Sequence, residues 1–138
     1  MASLIYNSAV DDMARGAIDF DTDTFKAMLV TSSYTPNKDN HDKRNHVTNE
    51  VTGTGYTAGG VTLACTVAKD TGNDKVTLTF AAHNWTSSTI TARAEVVYKS
   101  RGGASSADEL VYYNDFGTDV STTGGTFSVA ASVITLQN

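Results

Sequence analysis

The sequence predicts a mainly β protein, a β-sandwich or jelly-roll-like barrel with one short N-terminal helix and a long loop. Three observations carry that expectation. Thr, Val, Ser and Gly dominate and Pro occurs once; side chains branched at Cβ suit pleated strands better than helix interiors. Apolar residues recur at every second position through much of the second half, the period of a strand with one buried face. Turn-forming clusters separate these runs at short, regular intervals, as in sandwiches and barrels.

Taken in order, residues 5–16 are the one helix candidate: Tyr6, Val10, Met13 and Ala14 recur near helical spacing and Gly16 is a natural stop. Residues 24–31 (TFKAMLVT) read as a strand. Phe25, Ala27 and Leu29 share one face, and Met28 and Val30 make the other apolar too, so its second half is expected to be covered on both sides. Residues 32–60 lack periodicity, hold the only proline, Pro36, and end in GTGYTAGG. A loop of that length in a compact domain is usually functional, and an extended interface loop is expected, with a short strand inside it at 47–51. Val61, Leu63, Cys65 and Val67 then alternate with Thr62, Ala64 and Thr66. The turn DTGND leads into Val76, Leu78 and Phe80, completing a hairpin with one buried face. Residues 90–99 form a strand with Ile90, Ala92, Ala94, Val96 and Tyr98 inward, and Thr91, Arg93, Glu95 and Lys99 outward. Residues 101–108 are a Gly/Ser loop, 110–116 a strand with aromatics on both faces, 121–125 a turn, and 126–136 one bent strand or two short ones. At 138 residues the chain is expected to be one domain, 1–138.

Charge bounds the partners. With 10 Lys and Arg against 15 Asp and Glu, the net charge is −5. Binding to phosphates needs clustered cations, so no nucleic-acid partner is expected. The opening residues lack a signal-peptide pattern and no apolar run reaches bilayer length, so no membrane association is expected and synthesis is placed in a cytoplasm. The single cysteine, Cys65, sits in an apolar alternation and reads as a small buried hydrophobe.

Candidate chemistry is sparse. Asp19, Asp21 and Asp23 have the D-x-D-x-D spacing of calcium loops, but the loop glycine and the closing Glu are missing (Thr24 and Val30 stand there). A polar turn whose carboxylates cap backbone N–H groups is the better reading. His41 and His46, with Asp39 and Asp42, match no zinc spacing and read as solvated loop residues. His83 reads as a surface histidine beside a packed indole, Trp85. No nucleophile elbow, phosphate loop or acid/base pair stands out, so no catalytic residue, cofactor or metal site is predicted and no enzymatic activity is expected. Tyrosine combines a large apolar face with a polar tip and is frequent at interfaces. Tyr34 and Tyr56, at the two ends of the long loop, therefore join Pro36, Asp39, Lys43 and Arg44 as expected protein-contact residues. Packing of these tyrosines onto their own domain is the alternative.

Four segments carry a resemblance. The segments DTDTFK-x-MLVTS-x-YTP and VTNEV-x-GTGYTAGG, followed by WTSSTITARAEVVYKS and DELVYYNDFG, resemble small virion structural proteins of tailed bacteriophages over nearly the whole chain. That resemblance implies a structural protein of the phage particle, made in the bacterial host cytoplasm. It implies a capsid decoration (cement) protein that binds and stabilises the major capsid lattice, or else a tail-associated subunit of tube, baseplate or fibre attachment. The partners would be the major capsid protein or tail proteins, with a homo-oligomer, trimer or dimer, as the binding unit. No catalytic residues come with it. A more distant alternative is a glycan-binding β-sandwich using Trp85, His83 and Asn84.

Overall fold

The computed structural model describes residues 2–138, and it is mainly β. Strand β1 (Leu4–Ile5) and helix α1 (Asn7–Ala14) are followed by β2 (Phe25–Val30), β3 (Val61–Leu63), β4 (Cys65–Asp70), β5 (Lys75–Phe80) and β6 (His83–Ser88). The chain continues as β7 (Thr91–Lys99), β8 (Leu110–Ser121), β9 (Gly125–Val129) and β10 (Ser132–Gln137). They form a five-stranded sheet of order β1-β8-β7-β2-β3, a three-stranded sheet β10-β5-β4 and a two-stranded sheet β6-β9, with antiparallel pairing throughout. The two smaller sheets cover one face of the large one. The arrangement is sandwich-like and does not close, so the barrel alternative falls.

The core follows from alternation on β2. Phe25, Ala27 and Leu29 point into one apolar cluster with Leu63, Leu78, Phe80, Trp85, Val97, Phe127 and Val129, the filling between the sheets. Met28 and Val30 point the other way, into a second cluster with Tyr6, Tyr34, Ala94, Val96, Tyr98, Leu110 and Tyr113. Both faces of the second half of β2, an interior strand, are therefore dry, as its doubly apolar sequence predicts. Between the sheets the aromatics touch edge-on: the Phe80 ring lies 5.6 Å from Phe25 and 5.2 Å from Tyr112, and the Trp85 ring 6.0 Å from Phe127.

Four local expectations are corrected. The helix is shorter than 5–16, because Leu4 and Ile5 pair with Tyr113 and Tyr112 instead; its buried side is Tyr6, Ala9 and Met13, while Val10 is 54% exposed. The alternation through 61–67 is two strands: residues 61–63 pair with β2, then the chain changes sheet at Ala64 and pairs with β5. An unbroken apolar pattern spans that change because both sheets face the same core. On β7 the register shifts between Ala92 and Ala94, so Ala92 and Ala94 lie in different clusters. Glu95, expected outward, is fully buried among the residues between the sheets. The hairpin of β4 and β5 pairs as expected, with Asp70 opposite Lys75 across the turn. Its β4 half is less covered than the alternation suggests: Val67 is exposed and Cys65, read as a buried hydrophobe, is half-buried, because β4 is the edge of its sheet.

Candidate interaction surface

Residues 32–60 do not form a free arm. Their first part runs over the second face of the large sheet and covers it with Tyr34 and Val47, while Val51 and Tyr56 pack into the cluster between the sheets. The Tyr34 hydroxyl lies 2.9 Å from that of Tyr6 and 2.9 Å from Nδ1 of His41, and its ring lies 6.0 Å from Tyr113. Burial, the first cause, raises the Tyr34 hydroxyl above its ordinary range. The carbonyl of Lys38 accepts from the first helical N–H, Asn7, and the Asn7 amide donates to Asp39 at 2.6 Å. The expected strand at 47–51 is reduced to one bridge, Glu50 to Val30. It is flanked by the Thr31 N–H donating to Asn49 and the Val51 N–H donating to Leu29.

A charge cluster pins the middle of this segment. Arg44 donates from Nε to Asp108 at 2.8 Å, and its guanidinium lies 5.1 Å over the ring of Tyr98. Arg101 grips Glu109 through Nε and Nη2, and Lys43 lies 3.8 Å from the same carboxylate. Asp108 and Glu109 are both buried. Burial alone would raise the Glu109 carboxyl, but the Arg101 hydrogen bonds and the Lys43 charge hold it below the usual range. Each of these buried acids has a cation at hydrogen-bond or ion-pair distance, which offsets the cost of burying a carboxylate.

The glycine-rich end is fixed as firmly. The Tyr56 hydroxyl donates to Glu50 at 2.7 Å and accepts from the Leu29 N–H at 2.9 Å. The same Glu50 oxygen accepts from the Gly59 N–H, and Tyr98 donates to the Gly59 carbonyl. Gly60, with φ of +79°, passes so close to β2 that a Cβ there would lie 1.7 Å from the Ala27 carbonyl oxygen. The glycines serve close approach to this chain's own backbone.

The expected contact residues therefore divide. Tyr34 and Pro36 are buried and offer no surface, and Tyr34 is part of the apolar cluster on the second sheet face. Tyr56 is half-buried with its hydroxyl engaged on both sides, and Arg44 is held by Asp108. Asp39 is exposed and Lys43 half-exposed. With Lys38, Asn40 and Asp42, which are exposed, and His41, they form a polar crest beside α1. His41 accepts the Asn37 N–H at Nδ1, and burial, then the neighbouring His46, holds its pKa below the ordinary imidazole value.

Sequence reasoning also missed a buried polar link between the sheets. His83, expected on the surface, turns its side chain inward, leaving it only 7% exposed, and lies 2.6 Å from Glu95 through Nε2, while its Nδ1 lies 2.9 Å from the Ala81 carbonyl oxygen. Asn114 donates to the other Glu95 oxygen at 3.0 Å. A carbonyl only accepts, so Nδ1 carries a proton. Burial favours the neutral ring, but the bonds to Glu95 and Ala81 outweigh it and raise the His83 pKa. Trp85 is buried against Tyr56 and Phe127, so the Trp85, His83 and Asn84 set presents no exposed aromatic platform and the glycan reading at that place falls. Asp19 and Asp23 behave as turn residues: Asp19 Oδ1 accepts the Asp21 N–H, Asp23 Oδ2 accepts the Asp19 N–H, and Lys99 pairs with Asp23 at 2.8 Å.

Among the described residues no group of three His, Cys, Asp or Glu is placed to hold a metal, and no helix is long and apolar enough to cross a membrane. No family model, curated protein or solved structure matches the chain.

Proposed function

We propose that this chain is a structural protein of a tailed-bacteriophage particle, and specifically a decoration protein that docks on the assembled capsid lattice. The observation that carries the reading is the immobilised crest at residues 37–46. It is tied to α1 through Asn7, to the sheet through Arg44 and Asp108, and to the core through Tyr34. A surface ordered before it meets its partner loses little conformational entropy on docking, and a lattice multiplies many weak, identical contacts. The contact residues are Asp39 and Lys43 at the crest, and Arg44 positions it; Tyr56 fixes the glycine-rich end of the same segment. The sequence resemblance to small virion proteins points the same way. Binding only the assembled shell stabilises that shell by mass action.

The test is co-sedimentation of the purified protein with capsids stripped of it. Saturable binding that raises the heat resistance of the shell, and that weakens in Asp39→Asn with Lys43→Gln, is the expected outcome. These changes drop the two charges while the amide oxygen at position 39 can still accept from Asn7 and Arg101 still holds Glu109. Absence of binding to heads, with labelling confined to tails in electron micrographs, refutes the decoration role and transfers the protein to the tail.

A further inference from the structure

We infer that the free edge of β10 is a pairing edge for a second copy of this chain, so that two three-stranded sheets join into one across a two-fold axis. The inference does not depend on the virion reading. β10 is the outermost strand of its sheet and pairs only with β5, Ser132 against Phe80 through Gln137 against Lys75. Its hydrogen-bond phase is fixed by the next residue, Asn138, whose N–H donates to the Asp74 carbonyl in the same register. Residues opposite one another alternate between bonded and unbonded pairs in an antiparallel ladder. Ser132, Ile134 and Leu136 therefore bond to β5, while Val133, Thr135 and Gln137 turn their N–H and C=O groups outward.

That edge lacks the protection given to the others. Natural sheets blunt their edges with short strands, charges, prolines or irregularities. β1 has two residues and β3 three. β4 carries Lys69 and Asp70. The β6–β9 ribbon shifts register between Trp85 and Ser88. β10 runs for six residues, SVITLQ, with no charge, no proline and no shift in register. Val133 is 57% and Leu136 37% exposed, and Ile5 and Val10 are exposed beside them, Ile5, Val10 and Leu136 lining one apolar depression.

The strand suits itself as a partner. With Thr135 on the two-fold axis, Thr135 lies opposite its own copy and Val133 opposite the partner's Gln137. Each is an outward-facing residue, so every pair exchanges both of its hydrogen bonds. The same register sets Ile134 against the partner's Leu136 on the core side. A chain of net charge −5 repels itself over most of its surface, and this strip is uncharged. The two-fold operation uses both edges and stops, so it does not propagate into a fibre. A six-residue strand is about 20 Å long. Pairing along it buries far less than the roughly 1,200 Å² of a stable complex. The dimer is therefore weak and concentration-dependent, with Ile5 and Val10 adding to the contact.

Sedimentation equilibrium of the intact chain from micromolar to millimolar concentration tests this, together with amide hydrogen exchange at both ends of the range. Thr135→Pro removes an outward N–H without touching the β5 ladder, and Val133→Lys places a charge on the edge; Trp85 fluorescence and thermal melting verify that both still fold. The expected result is a monomer–dimer equilibrium that each variant weakens roughly tenfold or more. The amides of Val133, Thr135 and Gln137 gain protection on dimerisation, while Ile134 and Leu136 are protected in the monomer already. A monomer at millimolar concentration overturns the inference. So does a dimer indifferent to both variants, or one that leaves those three amides unprotected.

Discussion

Removing the imidazole of His83 tests the buried link between the sheets. Glu95 has no exposed surface, and its two oxygens are served by His83 at 2.6 Å and Asn114 at 3.0 Å. His83→Ala leaves one carboxylate oxygen without a donor in an apolar layer. Breaking a buried ion pair from one side costs about 3–5 kcal/mol, against a whole-domain stability of about 5–15 kcal/mol. With a urea slope of about 1–3 kcal/mol per molar, the unfolding midpoint drops by about 2 M. Trp85 is the only tryptophan, is buried, and lies 5.5 Å from the His83 ring, so its fluorescence reports the transition directly. The pH dependence gives a second reading. The folded His83 pKa is raised above the free value of about 6.5. Its stabilisation is therefore complete below that pH and is lost as pH rises through the folded pKa. The wild-type midpoint falls across that alkaline-going window and the fall vanishes in His83→Leu. Replacing both residues, His83→Leu with Glu95→Leu, restores most of the loss, because the pair's worth beyond an apolar contact is small. A wild-type midpoint flat across the window, or a His83→Ala penalty under about 1 kcal/mol, would refute the reasoning.

Two further perturbations separate the supports of the long segment. Arg44→Ala leaves the buried Asp108 carboxylate with only the Arg101 N–H; a loss of about 3 kcal/mol is expected, with new proteolytic cuts between residues 32 and 47 detected by mass spectrometry. Gly60→Ala forces a Cβ against the Ala27 carbonyl oxygen and is expected to abolish soluble expression or lower the melting midpoint by well over 10 °C, since about 1 kcal/mol shifts it by roughly 4–8 °C in a small domain. Gly102→Ala is the control: its φ is also +79° but nothing lies within 4 Å, so only the left-handed backbone penalty of about 1–2 kcal/mol applies.

The parts of this fold legible in the sequence are those where one local pattern matches one environment. The β4–β5 hairpin is such a case: Val76, Leu78 and Phe80 alternate because one face is buried, and Asp70-Thr71-Gly72-Asn73-Asp74 has the chemistry of its turn. β2 shows its double burial in the adjacent apolar residues Met28, Leu29 and Val30. β6 is hidden, since HNWTSS contains one apolar residue and its partner β9 lies some forty positions away. Glu95 is hidden for a different reason. In alternation with Ala94 and Val96 a carboxylate reads as the solvent face, and nothing local tells that a histidine from another sheet will meet it. The cations on 43–44 and 101 and the acids on 108–109 look like scattered surface charge for the same reason. Their pairing is a property of topology, which places the end of β7, the start of β8 and the long segment side by side.

That distinction decides what the long segment can do. Length without periodicity suggests reach, and reach needs residues free to leave. Here Tyr34, Pro36 and Val51 are buried, Arg44 is paired to a buried acid, and Gly60 is wedged against β2. Detaching residues 32–60 would uncover the apolar face formed by Met28, Val30, Val96 and Tyr98 and strand Asp108 without its cation. Each exposed side chain alone forfeits about 1.5–3 kcal/mol, so detachment costs as much as unfolding much of the domain. A partner of the long segment must therefore meet it as it stands, attached to the domain. On the proposed reading, mutations that weaken docking without weakening the fold should be confined to exposed side chains that hold nothing else, such as Lys38 and Val133; changes at Asp39 or Lys43 should cost some stability through Asn7 and Glu109, and changes at Tyr34 or Arg44 should impair both together.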